Sequence, residues 1–330
     1  MGMKVTQWTM TERRELANRI RRGEPVDLHI AAPEGRGQRL TRNLRLDEIV
    51  PLCRSVTCDD SAMAEAAKWL EAPAAVAEAD GGVTAIIPCS RGIPAGVRAL
   101  RAQDVDVSVL VLSNGDGPHD VPGATVRRVP WTGHGQTRSA AVADIDTEFV
   151  LFTVDDAIPL GQGCIRTLIQ ALKSGDWEAA VARQIPWPDA DAVTAARLRR
   201  WTPPGRAVVA MSQTDHVATL YRTETLRRFP IPDRPIAEDA WWSRERRVAY
   251  VPMAPFLHSH ERRPLALYSR NRAIHAERVR MGHPPTITGF GAAIAALPGV
   301  VRPTLAEGPM ELANQLAEIA GQWLGAVNAR

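Results

Sequence analysis

The chain has 330 residues, of which 45% are hydrophobic and 23% charged, and a formal net charge of +3. That length accommodates one large α/β domain with additions, or two modest domains. The hydrophobic share excludes a disordered chain, and the small charge gives no reason to expect a nucleic-acid partner.

The four cysteines, Cys53, Cys58, Cys89 and Cys164, have neither CxxC spacing nor histidines at zinc-finger distances, which argues against structural zinc and for reduced thiols. No run approaches the roughly twenty apolar residues of a membrane span, and the N-terminus lacks the apolar core of a signal peptide. A cytoplasmic protein is expected.

In chain order, the first eighty residues read as a helix from Thr11 to Arg22, an apolar run from Val26 to Ile30, a Gly/Arg-rich turn, and a second helix opening at Asp59-Asp60 and running to about Glu71. The Ala/Pro/Gly-rich stretch from Pro73 to Gly82 reads as a linker. From Val83 short apolar runs (VTAIIP, VSVLVL, ATVRRV, EFVLFTV) alternate with helical segments at Pro94 to Gln103 and Gln136 to Asp144, and another helix at Gln162 to Lys173 follows the last run. This is the rhythm of βαβ units and a mostly parallel sheet, in which ligands bind beyond the carboxyl ends of the strands. Further on come a strand HVATLYR, a helix from Glu238 to Arg246, a strand RVAYVPM, and an amphipathic helix from Met310 to Val327 that would dock on the core. That long last helix is also suited to a homodimer.

Five places carry chemistry. The strand EFVLFTV ends in Asp155-Asp156, adjacent acids that a divalent cation would reconcile, although either could simply cap the next helix. VTAIIPCSRG and VSVLVLSNGDG each break into a compact polar turn, and together they could form a nucleoside pocket; Asn114-Gly115 and Asp116-Gly117 are also ordinary turn pairs. In TGHGQTRSAAV glycines open a helix that carries Arg138 in its first turn, which suits an anion or leaves a solvated arginine. Glu238 and Asp239 begin a helix, where a carboxylate could be a general base or merely complement the helix dipole, and the adjoining Trp241 and Trp242 are core or sugar-stacking rings. His258 and His260 lie two apart on an extended segment, as metal or diphosphate ligands or as structural histidines.

In this order the segments resemble the inverting nucleotide-sugar glycosyltransferases of family 2, including rhamnosyltransferase-like members, over roughly residues 83–280. The resemblance implies a GT-A α/β fold: a mostly parallel central sheet with flanking helices, here preceded by a small N-terminal α/β extension. It implies a catalytic domain at 81–285, with a donor half at about 83–157 and an acceptor half at about 158–285, followed by a C-terminal helical segment at 286–330; nothing in the family explains the extension at 1–80. Asp155 and Asp156 match the DxD-type site, with Asp156 on Mn²⁺ or Mg²⁺ and Asp155 on the donor. Pro88, Ser90 and Arg91 in IPCSRG match the first nucleoside turn, where Cys89-Ser90 replaces the usual Tyr-Asn. Ser113, Asn114 and Asp116 match the second, Ser113 standing where an acid is common.

Gly135 and Arg138 match the Gly-x-x-x-Ala-Arg-Asn segment, and Glu238-Asp239 the Glu-Asp pair, with Asp239 as catalytic base. His258 or His260 would add a metal or diphosphate contact. The implied partners are a nucleotide-diphosphate sugar and a hydroxyl-bearing saccharide, lipid or small metabolite. The two rival readings are a sugar nucleotidyltransferase, suggested by the Gly-rich stretch around Gly35 to Leu40, and a non-catalytic nucleotide-sugar-binding subunit.

Overall fold

The computed structural model describes residues 3–5, 9–30, 45–58, 82–259, 263–284 and 309–329. They fall into two compact units, one drawn from Met1–Thr132, Gln136–Ile231 and Trp242–Ser259, the other from Gly133–Gly135, Pro232–Trp241 and His260–Arg330. The expected helix and linker between residues 59 and 81, and the Gly-rich stretch from residue 35 to 40, lie outside the described residues.

In the first unit, strands β1 (Met3–Val5), β2 (Asp27–Ile30) and β3 (Ser55–Cys58) make a small parallel sheet in the order β1-β2-β3. Between β1 and β2 runs the expected first helix, Met10–Arg21, which opens on a capping box. The Thr9 hydroxyl accepts from the Glu12 amide and the Glu12 carboxylate accepts from the Thr9 amide, satisfying two N–H groups that a helix start leaves open.

The larger sheet contains β4 (Val83–Arg91), β5 (Val107–Asp116), β6 (Thr125–Arg128), β7 (Phe149–Thr153), β8 (Ile158–Pro159), β9 (Ala179–Ile185), β10 (Val209–Met211), β11 (Ala218–Arg222) and β12 (Val248–Leu257). Its order is β10-β12-β9-β11-β7-β4-β5-β6, with β8 added to β12. Pairs β4-β5, β4-β7, β5-β6 and β9-β12 are parallel, and β11 is inserted antiparallel between β7 and β9. All four apolar runs expected from Val83 onward are strands here. β9 was not anticipated, because its sequence AAVARQI carries little of the branched or aromatic bulk that marks a strand.

Alternate side chains of these strands enter two cores, one on each face. Val83, Ala85, Ile87, Val109, Val111 and Leu151 join one, packed under Ile165, Leu168, Ile169 and Leu172 of the Cys164–Lys173 helix. Ile86, Leu110, Val150, Phe152, Tyr221 and Trp242 join the other. Burial on both faces explains the unbroken apolar runs. The segment expected to be helical from Pro94 to Gln103 is helical only over Val97–Arg101.

The extension is fastened to the large sheet's unit by polar and apolar contacts. Buried Arg13 donates to the carbonyls of Pro188 and Ala190 at 2.9 and 3.3 Å. Glu48, fully buried, receives a two-pronged bond from Arg199 at 2.6 and 2.8 Å. Ala17, with Ile20 and Leu52 packed alongside, meets Ile185, Trp187 and Leu257 at the ends of β9 and β12.

The second unit pairs the helix Pro264–Arg280 with the helix Pro309–Asn328. The C-terminal helix was expected to bury Leu312, Leu316, Ile319, Trp323 and Leu324. Instead its buried positions include Glu311, Asn314, Gln315, Glu318, Gly321 and Gly325, while Leu316 is exposed. The reason is backbone proximity. A Cβ on Gly321 would stand 2.5 Å from the Tyr268 carbonyl oxygen, and one on Gly325 2.2 Å from that of Arg272. Alanine at 325 adds up to about 1 kcal/mol of helix propensity, but overpacking against a backbone atom costs about 1–3 kcal/mol or more. Gly325→Ala is therefore expected to lower the midpoint of thermal unfolding, and an unchanged or raised midpoint would refute this close helix contact.

Candidate functional site

The carboxyl edge of the large sheet gathers most of the expected residues. β4 ends in Pro88 to Arg91, β5 in Ser113 to Asp116, and β7 runs directly into Asp155-Asp156. The ends of β9 and β12, parallel to one another, add Gln184 and His258, and Asp215 precedes the antiparallel β11 at the same edge.

Strand β12 is interrupted between Val251 and Pro255 by an irregularity in its pairing. Before it, β12 pairs with β10; after it, with β8, which aligns Leu257 with Ile158. This change of partner draws the turn after β7 across the sheet edge and brings Asp156 to His258. Their Oδ1 and Nε2 atoms lie 3.5 Å apart, the imidazole buried and the carboxylate half-exposed.

The turn is held from below. The Ala95 amide donates to the Asp155 carbonyl at 2.8 Å, and a Cβ on Gly96 would fall 2.2 Å from the Ala157 carbonyl oxygen. Asp155 is pushed above the ordinary aspartate range, first by burial and then by the charge of Asp156; its own amide, the Cys89 thiol and the Arg138 guanidinium oppose the shift. Burial likewise raises Asp156. The Cys89 thiol lies 3.2 Å from the Arg91 carbonyl and against Asp155, so it too is raised, chiefly by burial. Two carboxyls raised side by side are groups that a cation would relieve.

Arg138 belongs to the helix His134–Val142, which begins two residues earlier than expected, just after Gly133 in the left-handed region at φ +110°. Arg138 therefore stands in the second turn, not the first. It is buried, with its guanidinium 6.0 Å from the Phe152 ring, so it is not a solvated surface arginine. Gly135 lies within the same helix.

In the two turns, Ser90, Arg91 and Asp116 are exposed, Pro88 is half-buried and Asn114 is buried. Ser113 is fully buried and its hydroxyl accepts from Arg128 at 3.1 Å. Arg128 also donates to the carbonyls of Gly115 and Gly117 at 2.9 and 3.0 Å, which pins the whole SNGDG turn. Gly115 takes φ +54° there, a conformation glycine adopts without penalty.

Glu238 and Asp239 begin the helix Glu238–Ser243; Glu238 is buried, Asp239 half-buried, and one Asp239 oxygen accepts from the Ala240 amide at 2.7 Å. The preceding Ala237 has φ +59°, the single non-glycine residue in the left-handed region among those described. Such a backbone costs of order 1–2 kcal/mol and tends to occur where the surroundings impose it for function. Both tryptophans have structural partners. Trp242 is buried, donates to the Phe229 carbonyl at 2.7 Å and meets Tyr221 edge-on. Trp241 donates to buried Glu277 at 2.9 Å, beneath Arg234.

His260 lies outside the described residues. Among the described residues no group of three or more His, Cys, Asp or Glu side chains converges as a metal cluster. The sequence offered no pointer to Gln184, Asp215, Gly96 or Ala237, whose contributions depend on contacts between distant segments.

The chain matches no family model and no curated protein at a significant level. Among solved structures it is similar to mannosyltransferase PcManGT from Pyrobaculum calidifontis in complex with GDP-Man and Mn²⁺, at 16% identity and a TM-score of 0.50, over 80% of this chain and 92% of that one. S. aureus TarS 1-349 in complex with UDP-GlcNAc aligns at 15% identity and a TM-score of 0.38, over 60% of this chain and 66% of that one. A mycobacterial protein aligns at 17% and 0.42, over 64% and 78%. The last two values carry no weight for the fold. The mixed sheet of mostly parallel strands with flanking helices, shared with the mannosyltransferase over four-fifths of the chain, identifies the fold as the GT-A type.

Proposed function

We propose that this chain is an inverting, metal-dependent glycosyltransferase that moves a sugar from a nucleotide-diphosphate donor to an acceptor hydroxyl. The observation that carries the reading is the approach of Asp156 to His258 at the carboxyl edge of the sheet. A carboxylate oxygen and an imidazole nitrogen are suitable donors for Mn²⁺ or Mg²⁺. Asp156 and His258 would hold such a cation, and sites for Mg²⁺ commonly use only one or two protein ligands.

A divalent cation bound there supplies Lewis-acid charge for the departing diphosphate. The chain's own residues do the rest. Arg138 adds positive charge beside Asp155. The turns ending β4 and β5 flank the nucleoside, the second held rigid by Arg128. Asp239 takes the proton of the acceptor hydroxyl, whose oxygen attacks the anomeric carbon from the face opposite the leaving diphosphate, and Glu238 orients the donor. The acceptor is a saccharide, a lipid or a small metabolite. Among the described residues no helix is long and apolar enough to cross a membrane.

The test is calorimetric titration with nucleoside diphosphates, with and without Mn²⁺, on the wild-type chain and on Asp156→Ala. The complex of the mannosyltransferase makes GDP with Mn²⁺ the first pair to try. The expected result is binding that requires Mn²⁺ and weakens at least about tenfold in the variant, as loss of one metal ligand implies. Binding indifferent to both metal and Asp156 would overturn the reading.

A further inference from the structure

His258 does not stand alone behind Asp156. Its Nδ1 lies 2.9 Å from Gln184 Oε1, and Gln184 Nε2 lies 2.6 Å from Asp215 Oδ2. Gln184 and His258 are both more than nine-tenths buried. With Asp215 ionised, the contacts from Asp215 through Gln184 to Nδ1 have one consistent assignment of protons. A carboxylate only accepts, so the amide must turn its NH₂ toward Asp215; the reverse orientation would set two acceptor oxygens 2.6 Å apart. That leaves the amide oxygen facing the ring, and an oxygen only accepts, so Nδ1 must carry the proton. In the neutral ring Nε2 then presents its lone pair toward Asp156 Oδ1.

Each member is fixed by a further bond. The other Asp215 oxygen accepts from the Val217 amide at 3.0 Å, and the Gln184 backbone is clamped by the Thr202 hydroxyl, which accepts from its amide at 3.2 Å and donates to its carbonyl at 3.1 Å. A lone pair and a carboxylate oxygen pointed at each other repel, and a positive charge between them, whether a proton on Nε2 or a divalent metal, removes that repulsion.

We propose that Asp215 and Gln184 are positioning residues: a carboxylate–amide relay that locks His258 as the Nδ1–H tautomer and holds Nε2 ready to ligate a divalent cation together with Asp156. This deepens the proposed function and rests on it for the identity of the ligand, while the relay itself rests only on the hydrogen-bond geometry. Histidine ligands commonly donate their second nitrogen to a carbonyl or carboxylate, and loss of that partner costs about 10- to 100-fold in metal affinity.

The experiment has two readouts. The first is the ¹⁵N spectrum of the imidazoles in the metal-free protein at about pH 8, above the ordinary histidine range near 6.5, with His258 assigned by comparison with His258→Gln. The second is Mn²⁺ affinity, from the signal of free Mn²⁺ in electron paramagnetic resonance during titration with the metal alone. Wild-type His258 is expected to be protonated on Nδ1. Gln184→Leu removes the acceptor, and is expected to release the tautomer and weaken Mn²⁺ binding by about 10- to 100-fold. The double exchange Gln184→Glu with Asp215→Asn transposes carboxylate and amide while keeping each hydrogen bond, and is expected to restore both readouts.

A wild-type ring protonated on Nε2, or a Gln184→Leu protein with unchanged Mn²⁺ affinity, would overturn the relay while leaving Asp156-dependent nucleotide binding intact. The wild-type spectrum needs no variant, so misfolding of Gln184→Leu would not shield the idea. If the wild-type protein binds no Mn²⁺, the ligand role falls with the function it rests on, and the spectrum still reports whether the relay exists.

Discussion

Asp239→Asn is expected to lower turnover by about 10²- to 10⁴-fold, the usual share of a general base, with donor binding and thermal stability nearly unchanged. One Asp239 oxygen accepts from the Ala240 amide, a bond that an asparagine oxygen can also accept. Asparagine matches aspartate in shape, so it preserves this local hydrogen bond and removes the basicity, at a helix-dipole cost of about 0.3–1 kcal/mol. The left-handed Ala237 just before the pair fixes how the chain enters this helix, and that cost is hard to explain for two acids that only complement a helix dipole. The measurement is nucleoside diphosphate release from a panel of nucleotide sugars, alongside calorimetric donor binding. Turnover within a factor of two of wild type would assign Asp239 to capping. A wild-type chain that binds donors but never turns over would favour a binding subunit.

Gly96→Ala should damage both stability and binding. Gly96 has φ −82°, so the backbone itself would accept alanine; the obstacle is the Ala157 carbonyl oxygen, 2.2 Å from where the Cβ would sit. A backbone atom in a turn anchored by the Ala95–Asp155 bond cannot move aside without carrying Asp155 and Asp156 with it. Overpacking of this kind costs about 1–3 kcal/mol and occasionally more. Metal-dependent nucleotide binding should fall further than the loss of folded protein alone explains. Full binding with ordinary stability would show that the turn can shift freely, and would remove Gly96 from the account of the site.

Strands β4, β5 and β7 could be read from the sequence because burial on both faces makes each one a continuous apolar run, and Asp155-Asp156 stood out as charge directly after such a run. Strand β9 could not: Arg183 and Gln184 interrupt it, and both are buried only because β12 and Thr202 cover them. Gln184 and Asp215 show the same limit for the site. An amide and a lone aspartate carry no pattern, and their significance comes from Gln184 meeting His258 across 74 residues of chain and Asp215 across 31. The C-terminal helix misled for a different reason. Its leucines mark a stripe at the correct period, yet the contact is made by glycines that let two backbones approach, and hydrophobicity does not register a missing side chain.

The attachment of the N-terminal extension through Arg13, Ala17 and Glu48 sets a limit on how this protein can be dissected or recombined. A fragment begun at Val83, where the βαβ rhythm starts, would uncover Ile185, Trp187 and Leu257 at the strand ends that lead into Pro188 and His258, and would take the buried Glu48 carboxylate away from Arg199. Ile158 and Leu160, immediately after the acid pair, pack against the same cluster. The extension thus walls one side of the large sheet, and exchanging it for that of another protein would have to preserve both the Glu48 carboxylate and the apolar face around Ala17.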